Sequence, residues 1–112
     1  MSVSTANWFD LGKLDLIPKR GARTVKTARR EIAVFRTAND EVFALENKCP
    51  HKGGPLSEGI VHGRKVVCPL HNWTISLEDG EATGADKGCA RAFATKIENG
   101  RIFIDMEDVV KA

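Results

Sequence analysis

Both members of two metal-ligand pairs fall within residues 47–73, NKCPHKGGPLSEGIVHGRKVVCPLHNW, a stretch that also holds every histidine of the chain. Cys49-Pro50-His51 has the form Cys-x-His, Cys68-Pro69-Leu70-His71 has the form Cys-x-x-His, and residues 52–67 separate them. Thiolate and imidazole are the side chains that hold borderline-soft metals. A single tetrahedral zinc usually takes paired ligands spaced by two or more residues, which gives the backbone room to turn. Cys49 and His51 are closer than that. The spacing is better met by a cluster of two irons, each loop giving a thiolate to one iron and an imidazole to the other. Two ferric ions, two sulfides and two thiolates sum to about zero with neutral imidazoles, whereas four thiolates would leave about two negative charges, so the incoming electron meets less repulsion and the reduction potential rises.

Other residues of this kind read more simply. Cys89, in KGCAR, is expected to be a small buried apolar side chain rather than a third thiolate ligand or a redox sensor. His62, in Ile60-Val61-His62-Gly63, reads as an exposed turn histidine. Trp73 either shields the site or packs as a core residue beneath the loop. Gly53, Gly54, Gly59 and Gly63 would let backbone N–H groups approach sulfur, and Pro50, Pro55 and Pro69 would stiffen the loops.

Two such loops need a scaffold, and the flanking sequence reads as strands. Glu31 to Arg36 and Glu41 to Leu45 flank Asn39 and Asp40 as one hairpin. Phe93 to Ile97 and Arg101 to Asp105 flank Asn99-Gly100, the pair that best tolerates a type I′ turn. Asp79-Gly80 marks a third turn, after a strand expected over Trp73 to Leu77. Leu11 to Leu16 and the tail after Met106 could each form a turn of helix. The class is all-β, with no internal repeat.

At 112 residues there is room for one domain. Balanced acids and bases leave a net charge of +2, a weak electrostatic case for nucleic acid. The local excess Arg20, Arg23, Lys26, Arg29, Arg30 reads as a solvated strand face, with a docking patch for an acidic partner as the competing reading. The opening MSVSTANWFDLGKLDLIPKR lacks the pattern of a secretory signal or membrane anchor, so the expectation is a cytoplasmic protein with reduced thiols and no membrane partner.

The two pairs, their separation and the proline after each cysteine resemble the [2Fe-2S] motif of Rieske proteins. The resemblance implies an all-β Rieske-type domain over 7–105, an antiparallel sandwich or barrel with a cluster-binding two-loop subdomain at 47–73 and a C-terminal tail at 106–112. It implies a Rieske [2Fe-2S] cluster held by Cys49, His51, Cys68 and His71, with the imidazoles at an exposed tip where the electron leaves. Respiratory-chain members add a disulfide between the loops and hydroxyl donors to the cluster. Here Gly54 and Leu70 stand where those cysteines would be, and Trp73 and Ile75 where the hydroxyls would be.

Within the family, ferredoxins that feed aromatic-ring dioxygenases usually have Gly after the second histidine, whereas this chain has His71-Asn72-Trp73. CPHKGGPLSEGIVHG, CPLHNW and GEATGADKGC resemble the small subunit of assimilatory NAD(P)H-dependent nitrite reductase, a likeness running from about Trp8 to Ile104. That implies a large partner subunit with flavin, a [4Fe-4S] cluster and sirohaem, which reduces nitrite to ammonium. This chain has no Gly-rich dinucleotide fingerprint after a strand and no room for a nicotinamide domain, so it transfers electrons and is not catalytic alone. A stand-alone Rieske ferredoxin serving an aromatic-ring oxygenase and a zinc-stabilised interaction module are the competing expectations. With the disulfide and hydroxyl donors missing, the midpoint potential is expected near the low end of the Rieske range, around −150 mV, and a redox titration giving more than about +100 mV would contradict this.

Overall fold

The computed structural model describes residues 8–27, 30–48, 55–68, 73–82 and 88–106. These form ten strands: β1 (Trp8–Lys13), β2 (Ala22–Lys26), β3 (Glu31–Arg36), β4 (Val42–Glu46), β5 (Ile60–His62), β6 (Lys65–Val67), β7 (Thr74–Ser76), β8 (Ala92–Phe93), β9 (Thr95–Glu98) and β10 (Arg101–Asp105). They pair antiparallel into three sheets of order β1-β10-β9, β2-β3-β4-β8 and β5-β6-β7. None closes into a barrel among the described residues, so the expected all-β sandwich holds and the barrel form does not.

The sheet containing β3 is the middle layer. Successive side chains of a strand point to opposite faces, and an almost unbroken apolar run such as EIAVFR can therefore serve two cores at once. Ile32 and Val34, with Val42 and Ala44 of β4, pack against Ile102 and Ile104 of β10. Ala33 and Phe35, with Leu45, pack against Val61, Val66 and Ile75 of the small sheet β5-β6-β7.

Both predicted hairpins form. Asn99 and Gly100 both have positive φ, 53° and 74°, as a type I′ turn requires. The strand before it starts later than expected, because Phe93 belongs to β8, paired with Ala44 in the middle sheet, and the chain changes sheets at Ala94. Buried Phe93 fills the core on the β10 side, a demand the local pattern does not reveal. At Asp79-Gly80 the turn is present, and Gly80 has φ +77° with its α-carbon against the Ala90 carbonyl, where a Cβ would collide.

The helical turn expected over Leu11 to Leu16 is confined to a 3-10 turn, Leu14–Leu16, while Leu11 to Lys13 complete β1. Gly12, at φ +106°, shifts the register there and breaks the alternation that would have marked a strand. The tail after Met106 lies outside the described residues. Residues 47–73, expected as loops, contain the hairpin β5–β6 and a 3-10 turn, Leu56–Glu58; strands of three residues are too short to show a period.

Two of the basic residues of 20–30, Arg20 and Arg23, tie layers together. Arg20 Nε donates to the Val61 carbonyl at 3.3 Å, and Arg23 Nη1 to the Leu11 carbonyl at 3.1 Å. Arg30 pairs with Glu46 at 3.4 Å and lies over the Phe93 ring. Arg29 lies outside the described residues.

Arg36 is a buried charge at the end of β3. Its Nη1 donates to the Ile17 carbonyl at 2.7 Å, and its Nη2 and Nε donate to one Asp40 oxygen at 2.8 and 3.0 Å. The Arg36 hydrogen bonds, aided by the Lys19 charge, hold the Asp40 carboxyl below its ordinary range against the opposing effect of burial. A lowered carboxyl adds stability above its unfolded value, about pH 4, and loses it as pH falls through the lowered folded value. Arg36→Met is expected to lower the urea midpoint at neutral pH through its lost charged hydrogen bonds, with the gap to wild type narrowing below about pH 4.

Candidate metal centre

The predicted ligands hang from two stems. The first leaves β4 through Asn47 and Lys48 and returns at Pro55, which opens the 3-10 turn Leu56–Glu58. The second leaves β6 at Cys68 and returns at Trp73 into β7. Of the four residues, Cys68 is placed: its thiol is free and buried, in the apolar cluster that includes Leu56, Val66, Ile75 and Leu77. Cys49, His51 and His71 lie outside the described residues, as do Gly53, Gly54, Pro50, Pro69 and Lys52.

Both stems are rooted in one cluster. Leu56 comes from the return of the first loop and is fully buried, while Cys68 and half-buried Trp73 come from the two ends of the second. The Cys68 N–H donates to the Trp73 carbonyl at 2.7 Å, closing the segment that carries His71. Trp73 thus takes the packing role offered for it beneath the loop. Gly59, with an ordinary φ of −78°, sits against the Val67 carbonyl where a Cβ would collide, so closeness of the two stems is what demands glycine there. Gly63 differs. At φ +60° with open space around it, it serves the β5–β6 turn rather than any approach to sulfur.

The first stem is braced by a side chain that sequence reasoning gave no role. Asn47 Oδ1 accepts from the Ser57 N–H at 2.8 Å, and Asn47 Nδ2 donates to Glu31 Oε2 at 3.0 Å. Half of this bridge is a backbone group, which leaves no signature in residue types.

The two bystanders are displaced from the stems in different ways. His62 is exposed at the end of β5, as expected, and its register with Lys65 puts it at the turn end of the hairpin while Cys68 follows the opposite end of β6. Cys89 is exposed, not buried as expected. It bridges Glu81, and the alternation that turns its neighbour Ala90 into the core turns the thiol outward.

Two loops rooted side by side, with a buried thiol at one root and a total donor set of two cysteines and two histidines, fit a two-iron cluster of mixed ligation. Residues 7–94 match the family described as Rieske [2Fe-2S] domain. The chain belongs to the Rieske [2Fe-2S] family. A Rieske [2Fe-2S] cluster is accordingly its cofactor. The Rieske chain is 35% identical over 105 residues to the ferredoxin component of the naphthalene 1,2-dioxygenase/salicylate 5-hydroxylase systems of a Ralstonia species, covering 92% of this chain and 99% of that protein. It is 30% identical over 108 residues to a segment of the nitrite reductase [NAD(P)H] large subunit of Klebsiella oxytoca, covering 92% of this chain and 11% of that one. In fold it is similar to the ferredoxin of carbazole 1,9a-dioxygenase from Nocardioides aromaticivorans IC177, with a TM-score of 0.79 at 22% identity, over 89% of this chain and 98% of that one.

We propose Cys49, His51, Cys68 and His71 as the ligands of the Rieske cluster. Losing a thiolate leaves an iron open to water, so Cys49→Ser and Cys68→Ser are each expected to give colourless or unstable protein, whereas Cys89→Ser keeps its visible absorption and its iron and sulfide. Loss of colour in Cys89→Ser with retention in Cys49→Ser would overturn the assignment.

Proposed function

We propose that the chain is the electron-transfer small subunit of an assimilatory NAD(P)H-dependent nitrite reductase, working in the cytoplasm. The observation that carries this is the match along nearly the whole chain to a segment of the Klebsiella oxytoca nitrite reductase large subunit. In that relative a module of this kind is part of the same polypeptide as the reductase. Asn72-Trp73 after the second histidine and the run GADKGC (residues 84–89) support the same reading.

The cluster, when bound, accepts and releases one electron. The protein's own part is to hold it at a fixed place and to present it. The first loop returns to the same end of the small sheet from which the second one springs, so His51 and His71, with Lys52 beside them, form the docking face in this reading. Electron transfer weakens steeply with distance, which favours contact through that tip. The partner is a larger subunit with flavin, a [4Fe-4S] cluster and sirohaem, which supply the hydride acceptor and the nitrite site that this chain lacks in its motifs.

A second reading has its own support: the 35% identity to a dioxygenase ferredoxin component, spanning 99% of that protein, favours a carrier that feeds an aromatic-ring oxygenase. The host's behaviour separates the two. Deleting the gene is expected to abolish growth on nitrite as sole nitrogen source, and Cys68→Ser in its place is expected to lower nicotinamide-dependent ammonium formation in extracts. Normal growth on nitrite together with loss of an aromatic oxygenase activity would replace this proposal with the ferredoxin reading.

A further inference from the structure

The mouths of the two cluster-binding loops are closed by different means. Across the second, backbone meets backbone, Cys68 N–H to Trp73 carbonyl. Across the first, among the described residues, no backbone hydrogen bond joins 47–48 to 55–59; the link is the Asn47 side chain, which reaches ten positions along the chain to the Ser57 N–H. The other end of the same amide is held by Glu31 Oε2, and the Asn47 N–H donates to the Glu31 carbonyl at 2.8 Å, one step beyond the last paired residues of β3 and β4, Ile32 and Glu46. The amide is thus anchored to the rigid middle sheet on one side and grips the loop's return on the other. Both side-chain bonds are partly shielded from water, so each is stronger than its exposed counterpart. Immediately after Asn47, Lys48 N–H turns back to the Glu46 carbonyl at 2.7 Å, and Cys49 follows.

We propose that Asn47 is the positioning residue of the first loop: its bridge from Glu31 to Ser57 sets where Cys49 and His51 stand relative to the second loop, and so governs how firmly the cluster is held and its electronic signature. The proposal rests on Cys49 and His51 being ligands. Metal centres commonly depend on such outer hydrogen bonds, whose loss costs about tenfold to a hundredfold in metal affinity.

The bridge has a polarity that can be reversed. In Glu31→Gln the new side-chain carbonyl still accepts from Asn47, so this variant is expected to match wild type. In Asn47→Asp one carboxylate oxygen still accepts from Ser57, but the other faces the Glu31 carboxylate, and like charges repel. In the double variant Asn47→Asp/Glu31→Gln the glutamine amide donates to the aspartate, so the bond between positions 47 and 31 returns with donor and acceptor exchanged, while the Ser57 N–H donates to position 47 as before.

The experiment purifies the full chain in these forms, with Asn47→Ala and Cys49→Ser. It records far-UV circular dichroism, the EPR spectrum of the reduced cluster, and the rate of iron loss to a chelator. The expected result is native far-UV signal with iron loss faster by about tenfold or more and altered EPR g values in Asn47→Ala and Asn47→Asp, both restored toward wild type in the double variant. If Asn47→Ala does not fold, the aspartate pair, which preserves side-chain shape, carries the same test. Wild-type iron loss and EPR in Asn47→Asp, or a double variant no better than Asn47→Asp alone, overturns the role of Asn47 while a colourless Cys49→Ser leaves the ligand assignment standing. A fully loaded Cys49→Ser overturns the assignment and this proposal together.

Discussion

The fold depends on one strand being buried from both sides. β3 has no solvent face: Ile32 and Val34 are held by the layer that β10 belongs to, Ala33 and Phe35 by the layer of β5-β6-β7. A single residue step in its register would exchange the two sets and mismatch both cores at once, so its position is specified twice over. Everything else takes its place from that strand. The β1-β10-β9 sheet covers one face, and the small sheet that bears the loops covers the other.

Such an arrangement suits a redox site. The stems of the ligand loops are not on a mobile excursion from the surface; they begin in the apolar cluster under Phe35 and Leu45, with Leu56, Cys68 and Trp73 packed there. At the far end of the small sheet, Arg64 pairs with Glu41 at 2.6 Å and Glu78 at 3.2 Å, fastening the β5–β6 turn to the segment before β4 and to the turn after β7. These exposed pairs stabilise little individually. With the core at one end and the ion pairs at the other, the small sheet is held along its length, and a centre built on rigid elements keeps its geometry through a change of charge.

What could be read from sequence divides by whether a residue's type alone states its role. Cysteine and histidine at metal spacing point to the family that the chain belongs to, Asn99-Gly100 marks its tight turn, and EIAVFR reads as the hairpin strand that it forms. The missed features are those in which a second, distant group supplies half the meaning. Phe93 looks like part of the next strand until the space beside Ala44 is known. Gly12 hides β1 because a bulge destroys the period by which strands are recognised. β5 and β6 are too short to have a period at all. Cys89 was expected inside because lone cysteines usually are, yet at its isolated bridge to Glu81 the thiol is exposed and the neighbouring Ala90 takes the inward position.

The outer strands β1 and β2 have a consequence for how the chain behaves among its own copies. Each is the last strand of its sheet and offers unpaired backbone groups to any passing strand. On β1 the bulge at Gly12 bends the edge out of the regular ladder, with the Asp10 carboxylate accepting the Gly12 N–H at 2.8 Å so that this donor is already taken. On β2 exposed Arg23 and Lys26 put like charges where a second copy would have to lie alongside. Edges that reject strand addition keep a chance encounter between copies from becoming a permanent sheet, and leave an empty or partly loaded chain with less tendency to aggregate.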